Sequence, residues 1–265
     1  MTNEKKKILF VSSSGLIGDL AWKVKNEGHE VKIFIEDKEE KDVCDGFVDK
    51  VEKWEDFKDW ADLIVFDDVG FGSIAEKLRK EGKLVVGGST YTDKLEIDRD
   101  FGYKEMKDAG IKSFQIQKFI SGVEIAIGAF FNGEDFIYPI NVNFEHKKLF
   151  PGNIGPSTWE MGETMYWSQP NTLFNETLLK MKEKLKQSGY VGYIDINTIV
   201  NGRGIYPLEW TARFGIPTIS IQIEGVLSNW GDFLYSLAKK ENFELKTKKR
   251  FSSWCCFSGS AISFS

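Results

Sequence analysis

The 265-residue chain sets 35 Lys and Arg against 40 Asp and Glu, a formal net charge of −5, with 42% hydrophobic and 28% charged residues. That balance excludes a strongly basic nucleic-acid binder and a disordered chain, and leaves enough apolar side chain for a buried core. With only Cys44, the adjacent Cys255-Cys256, and the two histidines His29 and His146, neither a disulfide framework nor a His-rich metal site is expected. A reducing cytoplasm is the expected compartment. No apolar run approaches the roughly 20 residues that span a bilayer, and the charged segment 1–7 does not read as a signal peptide, so no membrane partner is expected.

In chain order, Ile8-Leu9-Phe10-Val11 reads as a buried strand that ends in Ser12-Ser13-Ser14-Gly15. Leu16, Ile17, Leu20, Ala21 and Val24 then recur at helical spacing, and Gly28 stops the helix. Strands follow at 31–35, 63–66 and 84–86, with a helix through Ala75 and Leu78 that ends at Gly82. Short strands alternating with helices imply parallel βαβ units, so residues 1–89 read as a small doubly wound domain. The turn Ser12–Gly18 has two readings. Its backbone N–H groups meet an anion at the helix N-terminus, or it is a plain strand-to-helix turn; it lacks the full three-glycine dinucleotide fingerprint. The acidic run 36–42 is expected to be a solvated loop ahead of a ribose-binding acid.

A helix at 94–109, within a linking segment 90–113, joins this unit to one of different texture. From Phe114 the chain reads as antiparallel β: a strand at 124–131, a turn at Asn132-Gly133, and a return at 136–142. Residues 150–158, rich in Gly and Pro, are expected to form an irregular loop. Phe174, Leu178, Met181 and Leu185 share one face of a helix that Gly189 ends, and two strands, 191–200 and 205–210, meet around Asn201-Gly202. Residues 114–225 thus form a second lobe, and 226–265 begin a further domain. On the hairpin, a two-residue loop at Asn201-Gly202 sets Asp195 opposite to Glu209 in facing, whereas the three-residue loop Asn201-Gly202-Arg203 sets them side by side. The odd loop is expected, because it sorts Tyr193, Asp195, Asn197, Glu209 and Thr211 onto one face. Ile194, Ile196, Leu208 and Trp210 then fall on the other, against the helix carrying Leu178 and Met181. Oxygen ligands on such rigid strands suit Mg²⁺.

Four motifs carry a resemblance. Leu208-Glu209-Trp210-Thr211-Ala212-Arg213-Phe214-Gly215-Ile216-Pro217 resembles the Leu-Glu-Phe-Asn-x-Arg-Phe-Gly-Asp-Pro motif of the phosphoribosylamine–glycine ligases, an ATP-grasp family. Glu145-His146-Lys147-Lys148 is similar to that family's Asp-His-Lys-Arg. Gly155-Pro156-Ser157-Thr158-Trp159-Glu160-Met161-Gly162 is similar to its Gly-Pro-Asn-Thr-Gly-Gly-Met-Gly, and Phe119-Ile120-Ser121-Gly122-Val123-Glu124 to its Phe-Leu-x-Gly-x-Glu. All four stand in the family's order, and Leu20-Ala21-Trp22-Lys23 and residues 88–110 resemble its N-terminal region.

The resemblance implies an α/β fold: a Rossmann-like parallel sheet, then an antiparallel ATP-grasp lobe with packed helices. It implies a ligase of purine biosynthesis that uses ATP and Mg²⁺ to join a small-molecule carboxylate to a small-molecule amine through an acyl phosphate. Glu209 would be the main metal ligand, with Thr211 and Asp195 beside it. Arg213, His146 and Lys147 would face the anionic substrate or intermediate, and Gln117, Lys118 and Glu124 would meet the nucleotide. The departures are specific. Ile111 stands close before Phe114, so the small lobe that clamps ATP in the family is missing, and weak ATP binding is expected. Thr211 replaces an Asn, Gln117-Lys118 a double Glu, Ile216 an Asp, and Trp159-Glu160 a Gly-Gly, which is expected to reshape its loop. Two other readings stand beside the ligase. One is a non-catalytic relative that binds a small anionic metabolite or a protein partner. The other is an oxidoreductase on the N-terminal βαβ region, which the incomplete glycine fingerprint disfavours.

Overall fold

The computed structural model describes residues 4–112, 120–152, 154–249 and 251–255. Its first unit is a parallel sheet of β1 (Lys7–Ser12), β2 (Glu30–Ile35), β3 (Asp49–Lys50), β4 (Leu63–Phe66) and β5 (Val85–Val86), in the order β3-β2-β1-β4-β5. The central strands carry unbroken apolar runs, Ile8–Val11 in β1 and Leu63–Phe66 in β4, because helices cover both faces of the sheet, including α1 (Gly18–Asn26) and α2 (Gly72–Lys80). The chain winds outward from β1 to β3, then returns to β4. The crevice at the carboxyl ends of β1 and β4 is therefore the switch point of the sheet.

That crevice holds the Ser12–Gly18 turn. The Ser12 hydroxyl donates to Asp67, the Ser13 N–H donates to Asp67 Oδ1 at 3.1 Å, and the Gly15 N–H donates to Ser12 Oγ at 2.6 Å. These two N–H groups are spent on the turn itself, as the plain-turn reading expects. Burial raises Asp67 to about 7, with the Ser12 hydroxyl opposing. Residues 36–42 are mostly exposed, as the loop reading expects.

The segment read as one linking helix is two helices, α3 (Thr90–Ile97) and α4 (Arg99–Asp108). Asp98 breaks them: its backbone is extended, and its carboxylate accepts the Phe101 N–H at 3.0 Å as the cap of α4.

The second sheet is antiparallel. It consists of β6 (Val123–Phe131), β7 (Phe136–Phe150), β8 (Ile154–Ser168), β9 (Gly192–Asn201), β10 (Gly204–Thr211) and β11 (Ser252–Cys255), in the order β10-β9-β6-β7-β8-β11. Residues 154–158 lie inside β8 rather than in an irregular loop. Register shifts between His146 and Lys148 and between Lys148 and Phe150 let the long β7–β8 hairpin absorb Gly155 and Pro156. Trp159 and Glu160 likewise fall within this strand.

One face of the sheet is apolar. Ile127, Ala129, Ile140, Val142, Ile194, Ile196 and Trp210 form one core with Leu95 of α3, Met106 of α4, and Phe174, Leu178, Met181 and Leu185. The last four residues keep one face although their helix is broken into α5 (Thr172–Glu176), a 3₁₀ turn (Leu178–Met181) and α6 (Lys182–Gln187).

The two sheets share a further core. Phe130 and Tyr193 pack with Trp230 and Phe233 of α8 (Trp230–Ala238), with Ile219 of α7 (Thr218–Gly225), and with Leu20 and Val24 of α1. Buried His29 pins α8. Its Nδ1 accepts the Lys6 N–H at 3.2 Å, and its Nε2 lies 3.2 Å from Asn229 Oδ1. A Cβ on Gly231 would overlap the His29 ring. Gly231→Ala is thus expected to cost about 1–3 kcal/mol in urea unfolding; an unchanged midpoint would mean that α8 does not rest on His29. No helix among the described residues is long and apolar enough to cross a membrane.

Candidate active site

Strand register assembles the site on the face of the second sheet opposite its apolar core. Ala126 pairs with Asn143 and Asn197, Gly128 with Asn141 and Asp195, and Glu124 with Ile199. Thr211 pairs with Asp195 and Glu209 with Asn197, while Glu145 lies directly across from Glu163. Paired residues share a face. Asn141, Asn143 and Glu145 therefore line up beside Gly128, Ala126 and Glu124, then beside Asp195 and Asn197, and finally beside Thr211 and Glu209.

The hairpin reaches this arrangement by a different route from the expected odd loop. Asn201 pairs with Gly204, so the loop is the two residues Gly202-Arg203, and the register then shifts between Pro207 and Glu209. Leu208 is the extra residue. Pro207 has no N–H for the ladder, and β10 is an edge strand, where such a bulge is tolerated. The bulge restores the parity that brings Asp195 and Glu209 to one face.

The inner end of this face is closed by α7. The Thr218 hydroxyl lies 3.0 Å from both Glu163 carboxylate oxygens, Asn143 Nδ2 donates to Thr218 Oγ1 at 3.4 Å, and Gln222 Nε2 donates to Asn141 Oδ1 at 3.3 Å. Asn141 Nδ2 also donates to the Tyr193 hydroxyl at 2.9 Å, and that hydroxyl in turn donates to Asp195. Asn141, Asn143, Glu163, Asp195, Thr218 and Gln222 are all buried, so the network is sealed from water. Burial raises Asp195 to about 8, with the Glu145 charge adding to the rise and the Thr211 and Tyr193 hydroxyls opposing it. Asp195 Oδ1 has no hydrogen-bond partner. Sequence reasoning missed most of this network. Its signal is the period-two set Asn141, Asn143 and Glu145 inside an otherwise apolar strand.

The outer end is open. Glu124 and Glu209 are exposed. Glu209 lies at a cavity of about 300 Å³ that wraps the β10 edge of the sheet, lined by Glu96, Arg99, Thr211 and Arg213 and also by Leu95, Met106 and Trp210 of the apolar core, and the Arg99 guanidinium stands 3.3 Å from its carboxylate. Both partners are well exposed, so the pair is weak. Arg213 sits at the junction of the two units. Its Nε lies 3.1 Å from Glu96 Oε1 and 3.3 Å from Asp68 Oδ1, and its Nη1 donates to Phe214 O at 3.0 Å. Burial raises Glu96, and Arg213 opposes this. Lys147 Nζ lies 2.8 Å from Glu145 Oε2. His146 pairs with Gly162 one residue beyond Glu145, so it faces the other side of the sheet, where its Nε2 lies 3.2 Å from Phe150 O. The structure thus brings Asp195, Thr211, Glu209 and Glu124 to one face with Lys147, sets Arg213 at its edge, and leaves His146 off it. Gln117 and Lys118 lie outside the described residues.

Of the three expected metal ligands, Glu209 and Thr211 fit a magnesium ion and Asp195 does not. Mg²⁺ takes one or two carboxylates and fills its other positions with water and phosphate oxygens. Glu209 offers an open carboxylate, with the Thr211 hydroxyl beside it on the same strand. Asp195 does not fit as a direct ligand: it is buried, already receives the Thr211 and Tyr193 hydroxyls, and favours its neutral form up to about pH 8. Among the described residues no group of three or more His, Cys, Asp and Glu side chains is placed to hold a metal ion.

No protein-family model matches the chain. A phosphoribosylamine–glycine ligase from Listeria monocytogenes is 29% identical over 164 residues, which cover 58% of this chain and 37% of that protein. The chain therefore matches well under half of that relative's length. Among solved structures, a phosphoribosylamine–glycine ligase from Thermotoga maritima superposes with a TM-score of 0.66 at 17% identity, covering 93% of this chain and 79% of the other. The N5-carboxyaminoimidazole synthetase of Staphylococcus aureus complexed with ADP superposes with a TM-score of 0.63 at 12% identity, covering 93% and 81%. In sequence the chain resembles the phosphoribosylamine–glycine ligases, and its fold is that of the ATP-grasp ligases.

Proposed function

We propose that the polar face of the second sheet is the active face of an ATP-dependent carboxylate–amine ligase of the phosphoribosylamine–glycine ligase type. The observation that supports this most is the register. It gathers residues from three separated motifs, Glu124, Glu145 with Lys147, and Glu209 with Thr211, on one face, with Arg213 at its edge. Nucleotide phosphates would lie at the open end, where a magnesium ion held by Glu209, with Thr211 beside it, would neutralise phosphate charge. Arg213 is fixed at the junction by Glu96 and Asp68, so its guanidinium is pre-oriented to meet a substrate carboxylate. Lys147 adds a second positive charge on the same face. The buried network beneath positions the strands rather than meeting substrate, since α7 seals it.

The open end also sets the expected affinity. Among the described residues Glu124 and Glu209 are exposed, which leaves a nucleotide held largely on one side. Contact on one side forfeits most of the burial that a ligand pocket supplies. ATP with Mg²⁺ is expected to bind only in the millimolar range by calorimetry; micromolar affinity would contradict the one-sided site.

The experiment for the reading itself is ADP formation at millimolar ATP, with a panel of small carboxylates and amines headed by glycine and phosphoribosylamine. Turnover that requires both partners is expected, and Arg213→Ala should lower it at least tenfold. A second reading, a non-catalytic binder of a small anionic metabolite, is favoured by one observation: Arg213 and Glu209 already hold counter-charges within the chain. No ADP formation with any pair would favour it, whereas ADP formation that ignores both added partners would be ATP hydrolysis and would contradict both readings.

A further inference from the structure

A cavity of about 710 Å³, sharing no residue with the polar face, opens where α2, α6 and α8 end. Its volume is that of a small-molecule pocket. Its apolar wall is made by Leu84, Val85, Val191 and Ala238, while Arg79, Lys80, Lys83, Lys239 and Lys240 bring positive charge to it. The one acid that lines it, Glu76, already accepts the Thr90 N–H at 2.7 Å. Lys83 is held by Asp59 at 2.7 Å and Lys239 by Glu241 at 3.6 Å, both acids outside the lining, so the charge open to the cavity rests on Arg79, Lys80 and Lys240.

Helix ends alone do not explain these charges. Cations are favoured near helix C-termini, but here each of the three ends is closed by its own backbone. Gly82 donates to Arg79 O and Lys83 to Leu78 O; Gly189 donates to Lys186 O and Tyr190 to Leu185 O; Lys240 donates to Leu237 O and Glu241 to Ser236 O. This closure puts the residue after each helix in the left-handed region, with φ of 84° at Gly82, 67° at Gly189 and 60° at Lys240. Two of the three ends use glycine there. The third uses lysine, which is strained where glycine is not. The ion pair of Lys240 with Glu134, 3.5 Å and about half exposed on both sides, is too weak to offset that strain. An observed backbone outlier at a cavity wall directs attention to function.

Arg79 is the second observation. Its guanidinium is largely buried and donates to three carbonyls: Val85 O at 3.3 Å, Gly88 O at 2.8 Å and Gly87 O at 2.5 Å. Among the described residues no carboxylate forms an ion pair with it, and burial lowers it to about 10. The Glu76 charge acts on it without touching it, so the guanidinium stays short of a contacting carboxylate, and an anion in the cavity would stabilise it.

The geometry points to a second ligand site in this cavity, for a small organic anion with a phosphate or carboxylate head on an apolar, ring-sized body. The test uses phenyl phosphate and benzoate as probes, with inorganic phosphate and benzyl alcohol as the two halves, titrated into the full chain by calorimetry. Each aromatic anion is expected to bind more tightly than either half. Lys240→Gly is expected to weaken that binding about tenfold while leaving the melting temperature unchanged or higher, and Arg213→Ala is expected to leave it unchanged. Benzyl alcohol binding as tightly as phenyl phosphate, or no binding of either aromatic anion at millimolar concentration, would overturn the proposal. A lower melting temperature for Lys240→Gly would show that the lysine serves its ion pair instead. Loss of binding in Arg213→Ala would place the probe on the polar face and would likewise overturn it.

Discussion

Asp195→Asn is expected to change how the stability of the chain depends on pH. The folded pKa of Asp195 is raised from 3.8 to about 8, chiefly by burial. A raised carboxyl contributes stability that is full below about pH 4 and is lost as the pH rises through about 8, because the native chain takes up a proton that the unfolded chain has released. Between those limits the wild type therefore weakens as pH rises. Each unit of displacement corresponds to about 1.4 kcal/mol, so even a partial expression of the shift amounts to a few kcal/mol. Asn keeps the shape and still accepts the Tyr193 and Thr211 hydroxyls, but carries no charge. In urea unfolding the variant should lie within about 1 kcal/mol of wild type at pH 5 and gain about 2–3 kcal/mol relative to it by pH 8.5. Asp67, raised in the same direction to about 7, is present in both proteins and cancels in the difference. A constant difference between the two proteins across that range would show that Asp195 titrates as an ordinary carboxyl.

Gly128→Ala should be among the most damaging single-methyl changes in the chain. Gly128 sits between Asn141 on β7 and Asp195 on β9, directly under the Tyr193 side chain. A Cβ there would overlap the Tyr193 hydroxyl and lie 2.6 Å from Cζ and 2.9 Å from Asn141 Nδ2. Tyr193 and Asn141 are both buried and tied to each other, so neither can swing away without leaving polar atoms unsatisfied. Overpacking and the broken hydrogen bonds together are expected to cost about 3 kcal/mol. Removing the hydroxyl gives the check. In a Tyr193→Phe background the same alanine should cost less, because part of the overlap is gone. Costs that simply add would show that the two side chains do not meet.

Much of the fold was legible because its signals are local. Apolar runs such as Ile8–Val11 and Leu63–Phe66, four residues long and bounded by polar residues, read as strands covered on both faces, and the alternation in β9 separates Ile194 and Ile196 from Asp195 and Asn197. Where the reading slipped, a competing local rule was present. Asp98 is an acceptable helix residue by pattern, but its carboxylate serves the next helix better as a cap. Gly155 and Pro156 look like loop residues, yet a long hairpin carries them by shifting register. At the hairpin of β9 and β10 the facing of Asp195 and Glu209 was foreseen through a three-residue loop. The chain instead uses two residues and a bulge, for which Pro207 was the available cue. The candidate site was legible only as separate motifs. Nothing local places Glu163 across from Glu145 or sets Thr218 over both Asn143 and Glu163. That closeness depends on α7 lying back over the sheet, which is a consequence of packing and not of spacing.

The most direct measurement follows the oxygen atoms of the carboxylate. If the polar face activates a carboxylate by phosphorylation, one carboxylate oxygen bonds to phosphorus, and displacement by the amine leaves that oxygen on the released phosphate. Carboxylate substrate labelled with heavy oxygen, incubated with the chain, millimolar ATP, Mg²⁺ and the amine, should yield inorganic phosphate carrying one labelled oxygen, with an equal amount of amide. Unlabelled phosphate released alongside ADP would mean that water, not the carboxylate, receives the phosphoryl group, and would contradict a ligase site on this face.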